Sequence, residues 1–252
     1  MNRPTGTKFE IFTGEVPYLT TDQMREVDRA MIEDFKINLV QMMENAGRNL
    51  ADLARARFLD GDPQGRRVTV LAGTGGNGGG SLVCARWLHN RGALVTVFAA
   101  RPGHEFTPVP AHQLEILRRM QVEVSQAGGL DSADRTDLII DGVIGYSLQG
   151  TPRGAAADMI RWANRQAVPV LALDAPSGVD TATGVVSDPA IKATATMTLA
   201  LPKEGLRGPA VTAQVGELYL ADIGVPPSLY AGTTLRLKVG NIFSQSEIIR
   251  LR

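Results

Sequence analysis

The feature that most constrains this chain is the unbroken succession of VTVLAG, a glycine cluster, LVCARWLHNRG and ALVTVFAA. The two apolar runs, bounded by turn residues, read as buried strands, and the segment between them repeats its apolar side chains at helical spacing. Strand, helix and strand in that order close a parallel pair through a right-handed crossover. The alternation then continues. PAHQLEILRRM predicts a helix, VEVSQ a short strand, DLIID a buried strand, GAAADMIRWANRQA a helix and VPVLALD another buried strand. The expected fold class is α/β, a three-layer sandwich with a mostly parallel central sheet and helices on both faces.

Two helices are expected upstream. Thr20 and Gln23 form a capping-box pair ahead of Met24, Val27 and Met31, and a second helix is predicted from about Asn38 to Phe58. Its methionines read as core filler. Beyond Gly184 come shorter β-like pieces, ATATMTLAL and GELYLADIG, and from about Pro226 the pattern weakens. No repeat, low-complexity tract or linker divides the chain. The expectation is therefore one domain over 1–252, with a core at about 18–225 and an extension over 226–252.

Charge and cysteine usage narrow the function. Lys and Arg number 26, as do Asp and Glu, so no positive field draws the chain to nucleic acid or an anionic membrane. The single cysteine, Cys84, has no disulfide partner within the chain, which fits a reducing compartment. Residues 1–10 are polar and lack the apolar core of an export signal, so the expected location is cytoplasmic, without a membrane span.

Ligands of doubly wound sheets bind beyond the carboxyl ends of the strands, and three loops follow apolar strands here. The first is Gly73-Thr74-Gly75-Gly76-Asn77-Gly78-Gly79-Gly80-Ser81, read as a loop before a helix, where exposed N–H groups and the helix dipole favour a phosphate or carboxylate. It is neither GxGxxG in its usual arrangement nor GxxxxGK[ST]. The second is Asp141, followed by a glycine-punctuated stretch from Gly142 to Gly150 that could hold a cation or a ribose hydroxyl. The third is Asp174-Ala175-Pro176-Ser177-Gly178, a carboxylate beside a rigid turn. His89, His104 and His112 show no metal-ligand spacing and read as surface residues, and Cys84 reads as a buried structural thiol.

Several motifs occur together and in order: MENAG at Met43 to Gly47, the glycine cluster, DGVIG at Asp141 to Gly145, LDAPSGVDTATG at Leu173 to Gly184, and TMTLALPKEGL at Thr196 to Leu206. In these the chain resembles the NAD(P)H-hydrate epimerases, the YjeF N-terminal domain family, from about Tyr18 to Val225. The resemblance implies a Rossmann-like sheet, a homodimer, and interconversion of the R and S epimers of hydrated NADH or NADPH. It implies substrate contacts from Gly76, Asn77, Gly78, Gly79 and Gly80, from Gly145, Tyr146, Ser147, Leu148, Gln149, Gly150 and Thr151, and from Asp174. It also implies one potassium ion per subunit, held by Asn77, Asp141 and Ser177, and a separate NAD(P)H-hydrate dehydratase acting on the product. The family loop reads G-x-G-N-N-G-G-D-G, whereas this chain has Gly76, Gly80 and Ser81 where that pattern has Asn, Asp and Gly. Asp174 is left as the candidate acid/base. Two other readings stay open from the residues: a nucleotide-binding or scaffold member of the family without turnover, and an NAD-dependent dehydrogenase. Against the latter stand the missing fingerprint and Arg101 at the end of ALVTVFAA.

Overall fold

Helix starts are set by local capping chemistry. The computed structural model describes residues 9–252, so most of the polar N-terminal segment lies outside the described part. Helix α1 (Thr21–Glu33) opens on Thr20, whose hydroxyl accepts from the Gln23 N–H at 3.2 Å while Gln23 Oε1 accepts from the Thr20 N–H at 2.9 Å. Helix α2 (Leu39–Phe58) follows Asn38, whose N–H donates to Gln41 Oε1 at 2.8 Å. Such caps satisfy N–H groups that the helix itself leaves unpaired. Both helices stand where the apolar spacing places them.

The sheet comprises β1 (Arg67–Ala72), β2 (Leu94–Ala99), β3 (Glu123–Gln126), β4 (Leu138–Gly142), β5 (Val170–Leu173), β6 (Ala195–Leu199), β7 (Glu217–Ala221) and β8 (Ile248–Arg250). Its order is β3-β2-β1-β4-β5-β6-β7-β8. Every pairing is parallel except β7 with β8. Strand alternation then sorts the core into layers. Val68, Val70 and Ala72 pack with α2, with α3 (Gly76–His89) and with α4 (Pro108–Arg119), through Leu50, Leu82 and Leu114. Leu71 and Ile139 face the other way, onto Met159, Ile160 and Trp162 of α5 (Gly154–Arg165). Each such side chain, when fully buried, contributes roughly 1.5–3 kcal/mol. The result is the expected three-layer α/β fold with helices on both faces.

One boundary differs from the sequence reading. The glycine cluster, expected as a loop ahead of a helix at Leu82, is itself the start of α3, with Gly75 as its N-cap. Glycine is a poor helix former, so local propensity pointed to a loop. The close packing of this stretch against the turns after β1 and β4, against Met43 of α2 and against Leu173 of β5 overrides that propensity. A Cβ on Gly73 would lie 1.9 Å from the Val143 carbonyl oxygen, and one on Gly78 would lie 1.8 Å from the Gly73 oxygen.

The weakly patterned C-terminal stretch also takes form. After α6 (Thr212–Val215) and β7 come α7 (Pro227–Ala231) and the edge strand β8. Leu229, Tyr230 and Leu235 join Val27, Met31 and Ile223 in a cluster over α1. β1 is flanked by β2 on one side and β4 on the other, so the chain leaves it in both directions and a crevice opens at the carboxyl ends of β1 and β4.

Candidate active site

Three of the sequence-derived loops meet at that crevice. The turn after β1 is pinned by the Gly73 N–H donating to the Gly142 oxygen at 3.0 Å. From there α3 points its first turn past β4. Gly76, Asn77 and Gly80 line a cavity, whereas Gly78 and Gly79 are buried against the Gly73 carbonyl and the Met43 sulfur.

Asp141, the penultimate residue of β4, is fully buried. Its Oδ1 accepts from Ser177 Oγ at 2.6 Å and from the Val143 N–H at 3.2 Å, and its Oδ2 accepts from the Ser177 N–H at 2.8 Å. Ser177 Oγ in turn accepts from the Ile144 N–H at 2.8 Å, so one hydroxyl ties the turns after β4 and β5 together. Burial pushes the Asp141 carboxyl up to about 6 despite these donors. Asn77 Nδ2 donates to the Leu173 oxygen at 2.6 Å. Its side chain stands over Gly145, where a Cβ would come within 2.2 Å of Asn77 Oδ1. Asn77, Asp141 and Ser177 are thus brought to neighbouring turns, and Asp141 has no side-chain cation beside it among the described residues.

Asp174 follows β5 in the left-handed region, at φ +65°. A non-glycine residue is held there only when its surroundings enforce it, and such strain gathers at functional sites. Here the enforcement is a buried ion pair: Lys203 Nζ donates to Asp174 Oδ1, with further hydrogen bonds to Thr198 Oγ1 at 3.2 Å and the Leu199 oxygen at 2.9 Å. Asp174 Oδ1 also accepts from Thr198 Oγ1 at 3.2 Å and the Leu199 N–H at 3.3 Å. Lys203 is 0% exposed and Asp174 2%.

Asp174 and Lys203 share the cavity with Asp28, Asn77 and Tyr146. Its apolar walls include Leu39, Met42 and Met43, so the α2 methionines read as core filler also line the site. Asp28 Oδ2 accepts from the Tyr146 hydroxyl at 2.5 Å. Burial raises the Asp28 carboxyl above its ordinary range, against the opposing effects of Tyr146 and Lys203. Burial, followed by the bond to Asp28, also raises the Tyr146 phenol.

Of the expected substrate-contact stretch, Gly145 is buried and Tyr146 reaches the cavity, while Ser147, Gln149, Gly150 and Thr151 are exposed and Leu148 is half-buried. His104 and His112 are exposed and His89 is half-buried, and none lines this cavity. Cys84 is buried, with its thiol pushed well up by that burial. Arg101 lies at the surface near Glu105, at 3.9 Å. Sequence reasoning missed Asp28 and Lys203. The available signal for Asp28 was a carboxylate four residues after Met24, on the apolar stripe of α1. No helix among the described residues is long and apolar enough to cross a membrane.

Residues 39–205 match the family model described as YjeF-related protein N-terminus. The chain is 40% identical over 237 residues to the NAD(P)H-hydrate epimerase of Dehalogenimonas lykanthroporepellens, covering 91% of each. It is 31% identical to the NAD(P)H-hydrate epimerase of Rhodopirellula baltica, over 85% of this chain and 87% of the relative. The bifunctional NAD(P)H-hydrate repair enzyme Nnr of Salinibacter ruber is 34% identical over 84% of this chain, which spans only 41% of that relative. The crystal structure of yeast ynu0, YNL200c, aligns over 94% of this chain and 100% of the other, with a TM-score of 0.78 at 25% identity.

Proposed function

The chain belongs to the YjeF-related N-terminal family, and on that premise we propose that it is an NAD(P)H-hydrate epimerase, an isomerase that interconverts the R and S epimers of hydrated NADH and NADPH. The observation that carries this reading is the strained Asp174, buried with Lys203 at the carboxyl edge of the sheet, beside the open first turn of α3. Helix starts attract anionic groups, so Gly76 to Gly80 are the assigned cradle for the pyrophosphate. Gly145 to Thr151 are assigned to the substrate as well, with Tyr146 the one of them that lines the cavity, and Asp174 is assigned both contact with the substrate and the acid/base role. Positioned acid/base groups contribute roughly 100- to 10,000-fold. Asp174 supplies such a group even though Gly80 brings no carboxylate to the helix start.

The residues Asn77, Asp141 and Ser177 fit a potassium ion. All three offer oxygen, as a hard cation requires, and the buried Asp141 carboxylate has no side-chain cation to balance it among the described residues. When bound, the ion supplies fixed positive charge at the junction of the turns after β4 and β5. The protein's own part there is to hold that junction through Ser177 and to keep Asn77 over Gly145. The product of this reaction is the substrate of an NAD(P)H-hydrate dehydratase, the partner activity this reading assigns, and the relatives named bifunctional repair enzymes extend well beyond this chain. A homodimer and a cytoplasmic setting, consistent with the lone buried Cys84, complete the reading.

The test starts from hydrated NADH enriched in the R epimer, at low temperature, and follows R and S by chromatography with and without protein in potassium buffer. Acceleration over the spontaneous exchange is the expected result. A folded, nucleotide-binding protein that leaves the exchange rate unchanged would refute the assignment.

A further inference from the structure

Epimerisation by loss and re-addition of a hydroxyl needs proton handling on both faces of the ring, and Asp174 with Lys203 provides one such centre. A second lies on the same cavity. Asp28 comes from α1, ahead of the segment 39–205 that the family model covers. It makes no ion pair among the described residues, and its carboxylate receives the Tyr146 hydroxyl at 2.5 Å. Tyr146 is itself held in place, since its carbonyl accepts from Thr181 Oγ1 at 3.2 Å and the Ile144 N–H just before it is bound to Ser177 Oγ at 2.8 Å.

We propose that Tyr146, backed by Asp28, is the second acid/base centre of this site and serves the ring face that Asp174 does not; this rests on the epimerase reading above. The charged and titratable groups around the pair are Lys203 and Asp174 across the cavity, Arg25 one turn earlier on α1, and Tyr230 from α7. The phenol is held above its ordinary range, so Tyr146 enters the reaction protonated and passes a proton on only as it receives one.

On the first face the C–O bond breaks with its electron pair leaving on oxygen. The ring nitrogen lone pair forms the C=N bond of an iminium ring, and the departing oxygen takes a proton from the Asp174–Lys203 pair and leaves as water. On the second face the oxygen of a water adds to the same carbon, and the C=N electron pair returns to nitrogen. The water's proton passes to Tyr146 Oη while the phenol proton passes to Asp28 Oδ2, along the hydrogen bond already in place. The opposite conversion runs the same steps backward. One proton is given on one side and one taken on the other, and exchange with solvent restores the starting state. Tyr146 is the catalytic residue of the pair, and Asp28 acts through it.

Asp28→Asn keeps the shape and removes the proton acceptor, and Tyr146→Phe breaks the relay at its other member. Each variant is expected to lose about 100-fold or more in epimerisation rate in both directions, with KM little changed. Asp28→Glu is expected to recover much of the rate where Asp28→Asn does not. The rate–pH profile separates roles: the wild-type rate falls on the acid side as Asp28 takes up its proton, and Asp28→Asn flattens that limb. A residue that only steadies α1 would lower thermal stability, leave the profile unchanged, and be rescued equally by Asn and Glu. Rates of Asp28→Asn and Tyr146→Phe within threefold of an active wild type, or a wild-type-shaped profile in a slow Asp28→Asn, would overturn the proposal alone. A wild type without acceleration would overturn the epimerase reading and this one with it.

Discussion

Replacing Lys203 by methionine strips the counter-charge from a carboxylate that is only 2% exposed. Methionine fills most of the same space, so the loss is electrostatic rather than a cavity. What remains to Asp174 Oδ1 is Thr198 Oγ1 at 3.2 Å and the Leu199 N–H at 3.3 Å, both long contacts. Breaking one side of a buried pair typically costs about 3–5 kcal/mol. In a chain of this size each kcal/mol moves Tm by roughly 2–4 °C, so a fall on the order of 6–20 °C is expected. Asp174→Asn should cost a similar amount by stranding the buried ammonium, and asparagine tolerates the φ of +65° at that position. The double variant, with neither charge buried, should fall short of the sum of the single losses by at least about 2 kcal/mol. Urea unfolding of the four proteins, supported by thermal scans, measures the cycle. A Lys203→Met loss below about 1 kcal/mol, or strictly additive variants, would refute the argument that this pair holds Asp174 in its strained conformation.

The glycines of α3 should split by position. Gly78→Ala, whose Cβ would sit 1.8 Å from a backbone oxygen, is expected to lose about 1–3 kcal/mol or more. Gly76→Ala, with open space around it, should be neutral or stabilising by up to about 1 kcal/mol; paired denaturation curves decide. For Asp141, the folded-state pKa of about 6 lies above the ordinary 3.8. The folded chain therefore binds this proton more tightly than the unfolded chain does. The contribution of Asp141 to stability falls as pH rises from about 4 to about 6, and a shift of this size corresponds to roughly 3 kcal/mol. In tetramethylammonium buffer this penalty should persist above pH 6, and potassium should raise Tm more at pH 8 than at pH 5. Asp141→Asn should abolish both effects, and equal potassium responses at the two pH values would count against Asp141 as a ligand.

Local pattern carried much of this fold. The capping pair Thr20 and Gln23, the apolar spacing of α2 and the apolar runs of β1, β2, β4 and β5 were enough to place those elements. Asp141 and Asp174 were visible because a carboxylate that ends an apolar run at a strand terminus stands out against its neighbours. The start of α3 was not legible, because helix propensity opposes it and only contacts with the turn after β1, with Met43 of α2 and with Leu173 of β5 require glycine there. Lys203 and Asp28 were hidden for a related reason. Their partners lie 29 and 118 residues away along the chain, separations over which no periodicity reports. The C-terminal stretch was opaque because its order comes from docking onto α1 and β7.

The antiparallel turn of the last strand decides where the chain leaves the molecule. β8 runs back along β7, pairing Ile248 with Ala221 and Arg250 with Tyr219, and the Leu218 N–H donates to the Arg252 oxygen at 3.1 Å. Residue 252 therefore emerges at the amino ends of the parallel strands, while the cavity opens at their carboxyl ends. The height of the sheet separates the two. A surface tether or fluorescent label joined after Arg252 would hang from the far side, leaving the mouth of the cavity turned toward solution.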